Sequence, residues 1–319
     1  MTMNVMIDSL FDLPQEATVV VPSSPSTQTF SLPKLVSRLA YHAMMLEVHL
    51  TPKPGLVDAL NNGSHDDMTL ATFVVSANAI VPYFAQFVDT GTAHAHLPVT
   101  ALLSGLRPIG VEAEQAMFSA THGVNTHKGM IFNLGLICGA VGWLQGNHLQ
   151  VDELHIKEVI RQSCQFLVYD ELKRCTQHAA ATAGEQMYQQ YGLTGARGEA
   201  ASGLTTVMNY ALPAYRECLI EGVATEQALW HTLLVIMANN DDSNLVHRGG
   251  IEGLRFVQDR ASYLLKLGGY RYPNLESELM AFDRDLIAKH LSPGGSADLL
   301  AAAWLVHELV QLFENESFG

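Results

Sequence analysis

The chain is poor in positive charge. Its 319 residues hold 18 Lys and Arg against 32 Asp and Glu, a formal net charge of -14. The few cations are scattered rather than striped, which excludes a surface that wraps nucleic acid. Cysteine is also scarce. Cys138, Cys164, Cys175 and Cys218 are far apart and without ligand partners at metal-site spacing; they read as reduced core thiols of a cytoplasmic protein. The N-terminus lacks a basic segment followed by an apolar core, so no secretory signal is expected. Apolar runs are broken by Gly, Pro, Asn or charge before the roughly 20 residues of a membrane span, so a soluble chain without a membrane partner is expected. Alternating strand patterns and internal repeats are missing, as are G-x-x-x-x-G-K-[ST] and G-x-G-x-x-G. Any nucleotide is then held in an unusual, helix-built way.

What is present is helical periodicity. Residues 1–31, with V-V-V-P-S-S-P-S-T-Q-T, read as a loosely ordered arm, and 32–319 as one all-α catalytic domain, because no linker interrupts them. After the helix carrying Leu35, Leu39 and Leu46, the pattern predicts helices over 68–88 (bent near Pro82), 98–106, 110–121, 128–145, 152–176, 176–190, 203–221, 225–239, 249–267, 275–290 and 296–314. The glycines concentrate in short polar segments between these helices, which suggests a single large bundle with a pocket built from those segments.

The first segment, E-V-H-L-T-P-K-P-G-L-V-D, starts at Glu47, which continues the row Val36, Ala40, Ala43 and so falls on a buried face. A buried carboxylate needs a cation, a metal or a shared proton; otherwise Glu47 snorkels at the helix end. The prolines stiffen the turn around Lys53, which alone is a solvated lysine. In N-N-G-S-H-D-D-M, Ser64 and Asp67 fit a capping box, while Asp66 or Asp67 suits Mg²⁺.

G-V-N-T-H-K-G places Asn125 or Thr126 to cap a helix from His127, with Lys128 adding charge to its first turn and Gly129 admitting a ligand to the backbone. In G-A-R-G-E-A, Arg197 can fork onto phosphate or pair with Glu199. In N-N-D-D-S-N-L-V-H-R-G-G, two aspartates at a helix C-terminus oppose the helix dipole, which suggests a compensating cation such as Mg²⁺ at Asp242; Arg248 opens the next helix towards phosphate. S-P-G-G-S-A-D presents Gly294, Gly295 and Asp298 at a helix N-terminus, an anion site or simply a stop and start between helices.

In this order, L-T-P-K-P-G-L-V-D, H-x-D-M, G-V-N-T-H-K-G, G-A-R-G-E-A, D-S-N-L-V-x-R-G-G and S-P-G-G-S-A-D resemble the triphosphoribosyl-dephospho-CoA synthase family, from about Leu39 to Leu309. Two departures from the family pattern are Asp66, where a basic residue is expected, and Ser243 in place of Thr.

The resemblance implies transfer of the triphosphoribosyl part of ATP to the 2′-hydroxyl of 3′-dephospho-CoA, with release of adenine and inversion at C1 of the ribose. It implies a product that a separate transferase passes to the acyl carrier protein of citrate lyase or malonate decarboxylase. Such chemistry needs a base for the hydroxyl, an acid for adenine and negative charge beside a cationic sugar. On this reading Glu47, then His127, are the catalytic candidates. Lys53, Asn125, Lys128, Gly129, Arg197, Arg248, Gly294 and Gly295 bind the nucleotide, and Asp67, Asp242 and Asp298 hold Mg²⁺. Competing expectations are a metal-dependent hydrolase of a ribosyl nucleotide and a non-catalytic partner in lyase assembly.

Overall fold

A computed structural model describes residues 31–173 and 183–316. The expected N-terminal arm and Cys175 lie outside the described residues. Within them the fold is all-α, with no strand.

Helix α1 (Leu32–His49) carries Pro33 in its first turn and buries the row Val36, Ala40, Ala43 and Glu47. Helix α2 (Leu70–Ala93) is opened by Thr69, whose Oγ1 accepts from the Thr72 amide at 3.3 Å while Thr72 Oγ1 accepts from the Thr69 amide at 3.1 Å. That reciprocal cap replaces the box expected at Ser64 and Asp67: Ser64 Oγ instead donates to the Leu291 carbonyl at 2.6 Å. Helix α3 (Leu102–Ala120) runs through Pro108 where two helices were expected. Leu102, Leu106, Ala113 and Met117 bury one continuous face across the proline, and this packing offsets the lost backbone bond.

Helix α4 (Lys128–Gly146) is the axis of the bundle and is buried on nearly every side. Its glycines allow α2 to approach at backbone distance. A Cβ on Gly142 would stand 2.0 Å from the Val88 carbonyl oxygen, and one on Gly91 would stand 2.1 Å from that of Gly139. Helix α5 (Glu153–Cys164) is capped by Asp152, whose Oδ1 accepts from the His155 amide at 2.9 Å. It ends well before the expected residue 176, and a π turn follows over Tyr169–Lys173.

The remaining helices are α6 (Ala183–Tyr191), α7 (Gly195–Ala201), α8 (Leu212–Ile220), α9 (Thr225–Asn239), α10 (Ser243–Lys266), α11 (Leu275–Ala288) and α12 (Gly294–Glu316). Helix α7 was not expected from its glycine-rich sequence. The span expected as one helix over 203–221 begins as a π turn, Val207–Ala211, before α8. Helix α10 starts at Ser243, earlier than expected, and is interrupted at Gly250, with φ 63° and ψ -165°.

Contrary to the expectation that no apolar stretch is long enough, three helices have the length and composition to cross a membrane: Leu70–Ala93, Lys128–Gly146 and Gly294–Asn315. In the last two, 72% of the apolar window is buried inside the bundle, so that hydrophobicity serves the core. Cys138, Cys164 and Cys218 are buried free thiols.

Candidate active site

The N-termini of α4, α10 and α12 open onto one cleft of about 280 Å³, where Lys128, Asn244 and Gly294 form part of the wall. Unsatisfied N–H groups and the positive ends of helix dipoles make such a convergence a site for a polyanion. The C-terminal end of α1 faces it with the opposite sign, through Glu47.

Glu47 and Lys53 are 2% and 1% exposed, which rules out both the snorkelling glutamate and the solvated lysine. Lys53 Nζ donates to Glu47 Oε1 and, at 2.8 Å, to the Glu47 carbonyl. The lysine backbone amide donates to Asp58 Oδ2 at 2.9 Å, and this fixes the T-P-K-P-G turn under the helix end. Glu47 Oε2 is buried without a hydrogen-bond partner.

Asp298, just past the first turn of α12, lies against Gly129 of α4. A Cβ on Gly129 would sit 1.8 Å from Asp298 Oδ2, so the space that Gly129 leaves is taken by this carboxylate. Burial, then the negative charges of Glu47 and Asp242, push the Asp298 carboxyl well above its usual range. Such crowding is relieved by a proton or a cation.

His127 lies behind this wall, 1% exposed. Thr126 Oγ1 donates to Ser76 Oγ at 2.6 Å, and Ser76 Oγ lies 2.7 Å from His127 Nδ1. His127 Nε2 has no partner, and a Ser76 hydroxyl that donates to Nδ1 leaves the ring proton there. Phe73 packs edge-on to the ring at 5.0 Å. Burial, helped by the Lys53 charge, lowers the imidazole to about 3, so it is a neutral donor at physiological pH.

Ten of the residues singled out in the sequence line the cleft. They are Glu47, Lys53, Asp67, Asn125, Thr126, Lys128 and Gly129, together with Arg248, Gly294 and Asp298. Lys128 is half exposed and its Nζ lies 3.0 Å from Glu114 Oε2; its amide donates to Asn125 Oδ1 at 3.3 Å. Arg248 does more than face solvent. It donates to the Ser64 carbonyl at 2.9 Å and to His65 Nδ1 at 3.1 Å, and His65 Nε2 reaches Ser292 Oγ at 2.8 Å. Arg248 thus ties the 61–68 loop to the entry of α12.

Asp242 has a different task from the metal ligation expected of it. Its Oδ2 accepts from the Ser296 amide at 2.7 Å and the Ser296 hydroxyl at 3.0 Å, and Oδ1 accepts from the Asn244 amide at 2.9 Å. It caps α10 and braces α12 at once. Two helix N-termini compensate its charge. Gly295 is spaced for this brace, since a Cβ there would lie 3.0 Å from Asp242 Oδ1.

Arg197 does not line the cleft and does not pair with Glu199. Its Nε donates to Glu171 Oε2 at 2.8 Å, and Glu199 accepts from the Thr206 amide at 2.6 Å and hydroxyl at 2.9 Å. His65, Asn244, His247 and Ser292 line the cleft but were missed as individual residues. All four sit inside quoted motifs, and that membership was the available signal.

Among the described residues no group of three or more His, Cys, Asp and Glu side chains is clustered for a metal ion. A Mg²⁺ arriving with a triphosphate needs only one or two protein carboxylates. The crowded Asp298 carboxyl and Asp67, both lining the cleft, fit that limited role.

An all-α bundle with helix N-termini around a cleft and a buried carboxylate beside them defines an enzyme site for a phosphorylated substrate. The family model described as ATP:dephospho-CoA triphosphoribosyl transferase matches residues 33–317. The chain is 65% identical over 314 residues, 98% of its length and 99% of the relative's, to a probable 2-(5''-triphosphoribosyl)-3'-dephosphocoenzyme-A synthase of Vibrio cholerae serotype O1 (strain M66-2). Identity to a protein of the same description from Photobacterium profundum is 53% over 310 residues, covering 96% of the chain and 98% of the relative. Identity to the 2-(5''-triphosphoribosyl)-3'-dephosphocoenzyme-A synthase of Pectobacterium atrosepticum is 51% over 280 residues, covering 88% and 90%. No solved structure matches the chain. The chain belongs to the ATP:dephospho-CoA triphosphoribosyl transferase family.

Proposed function

We propose that the cleft catalyses displacement of adenine from ATP by the 2′-hydroxyl of 3′-dephospho-CoA, with the triphosphate retained. The bond formed joins the acceptor oxygen to C1 of the ribose, and the bond broken joins C1 to adenine nitrogen. The hydroxyl proton leaves to Glu47, and the departing adenine nitrogen takes up a proton from water, so that return of the Glu47 proton to solvent balances the step. Glu47 also supplies the negative charge that a cationic ribosyl centre needs. The observation that carries this reading is the buried Glu47 carboxylate: one oxygen is held by Lys53 and the other is unpartnered, at the edge of a cleft ringed by helix N-termini.

The triphosphate lies over the first turns of α4, α10 and α12, with Asn125, Lys128, Gly294 and Arg248 in contact. Gly129 makes room for Asp298, and Gly295 and Asp242 keep the α10 and α12 N-termini in register. His127 donates a neutral N–H from behind. Asp298 and Asp67 would hold Mg²⁺ together with triphosphate oxygens and water. Such an ion would neutralise phosphate charge; the protein groups orient the sugar and move the proton.

The catalytic domain comprises residues 32–319, and the enzyme works in the cytoplasm, where ATP is available and its buried thiols stay reduced. The product goes through a separate transferase to a lyase acyl carrier protein. The test is adenine release from ATP and Mg²⁺ with and without 3′-dephospho-CoA, with product mass read in parallel. Release that requires the acceptor and gives the triphosphoribosyl adduct supports the reading; release that ignores the acceptor makes the protein a hydrolase.

A further inference from the structure

Beside the polar cleft, and sharing Lys128 and Gly129 with it, lies a second cavity of about 470 Å³. Its walls are apolar: Phe87, Leu103, Leu106, Phe132, Leu136 and Leu167. Arg107 and Arg197 also line it, joined through Glu171, whose two oxygens each take one guanidinium. Burial alone would raise the Glu171 carboxyl, but hydrogen bonds from Arg197 and Arg107 bring it below its usual range. Two cations on one carboxylate leave a positive excess beside an apolar chamber.

Gly110 adds an independent observation. It lies in the interior of α3 and lines this cavity. Glycine there is less favourable than alanine, yet a Cβ would meet nothing nearer than Phe87 Cζ at 3.9 Å. No protein atom requires the missing side chain, so the space it leaves is available to a ligand.

Resting on the transferase reading above, we propose that this cavity binds the acceptor's pantetheine arm, with Arg107 and Arg197 facing the acceptor's pyrophosphate. The arm is a long chain of methyl, methylene and thiol groups broken by two amides and a hydroxyl and attached to a dianion, so its hydrocarbon parts suit the apolar chamber and its dianion the arginine pair. The shared wall at Lys128 and Gly129 brings the adenosine end of the acceptor to the cleft, where its 2′-hydroxyl is needed. Arg197 therefore serves the acceptor rather than the triphosphate of ATP.

The experiment compares wild type, Gly110→Ala, Gly110→Leu and Arg107→Gln by steady-state adenine release, varying ATP and 3′-dephospho-CoA separately. Binding of ADP, which lacks the pantetheine arm, is measured alongside binding of 3′-dephospho-CoA. Gly110→Leu and Arg107→Gln each raise KM for 3′-dephospho-CoA at least tenfold, with KM for ATP within twofold. Gly110→Leu leaves ADP affinity within twofold of wild type, while Gly110→Ala, whose Cβ takes part of the same space, raises KM for 3′-dephospho-CoA less than Gly110→Leu does. A rise confined to the ATP KM assigns the cavity to the nucleotide donor and overturns the proposal, and so do unchanged constants in Gly110→Leu and Arg107→Gln. If Gly110→Leu fails to fold, Arg107→Gln, at an exposed position, decides alone. Absence of acceptor-dependent turnover in wild type would instead remove the transferase reading, which separates the two failures.

Discussion

Lys53 holds Glu47 twice, through the side-chain oxygen Oε1 and, at 2.8 Å, through the carbonyl of the same residue. The lysine therefore fixes both the end of α1 and the direction of the carboxylate. It leaves Oε2 as a buried acceptor with nothing bound. An ion pair so placed adds little net stability, because desolvation offsets attraction, but removing one partner strands a buried charge.

Lys53→Met is expected to destabilise the fold by about 3–5 kcal/mol, the usual cost of stranding one member of a buried pair. Urea unfolding measures this. The double variant Glu47→Gln, Lys53→Met is expected to recover part of the loss, since neither charge is then left alone. A double variant no more stable than Lys53→Met would mean that the lysine acts through packing.

Gly129→Ala is expected to lower kcat by about 100-fold, the scale on which a misplacement of about 1 Å at a reacting centre acts. Its Cβ would stand 1.8 Å from Asp298 Oδ2, so the carboxylate or the first turn of α4 must move. Near-normal kcat in a folded Gly129→Ala protein would show that Asp298 need not stay where it is.

The acid limb of stability is expected to depend on His127. Its imidazole titrates at about 3 in the folded chain against an ordinary 6.5, so the unfolded chain takes up a proton that the native one refuses. The stability from this neutral, buried ring is complete above 6.5 and is lost as pH falls towards 3. Thermal melts across that range are expected to be flatter for His127→Gln than for wild type. Equal slopes would place the acid sensitivity elsewhere.

Asp298→Asn is expected to raise the Mg²⁺ concentration needed for half-maximal adenine release by tenfold or more, because one of few protein carboxylates near the triphosphate is lost. Asp242→Asn is expected instead to lower stability, by about 1–3 kcal/mol for a buried charged acceptor that holds two helix N-termini, with little change in Mg²⁺ requirement. Exchanged outcomes would return Asp242 to the metal.

Much of the site was legible because glycine and charge cluster where helices meet. Glu47 followed from the row Val36, Ala40, Ala43, since helical periodicity places a side chain on a face. Lys53 was not legible as a buried residue: its burial depends on folding back six residues onto Glu47, which no local rule encodes. The brace that Asp242 makes was not legible because its partner Ser296 is distant in sequence; read locally, two aspartates after an apolar helix suggest a cation. Pro108 misled in the opposite direction. Local chemistry asks for a break, and a continuous buried face on both sides of the proline keeps α3 in one piece. The partner of Arg197, Glu171, and the cavity it lines depend on the tertiary fold and were not legible in the sequence.

The central claim is that Glu47 performs chemistry rather than merely ending α1. Steady-state adenine release by Glu47→Gln, paired with calorimetric ATP binding, tests it most directly. Turnover is expected to fall at least 1,000-fold, within the roughly 10²–10⁴ that a positioned base contributes, while ATP affinity stays within a few fold. A folded Glu47→Gln protein that turns over at near the wild-type rate would contradict the account and make Glu47 structural.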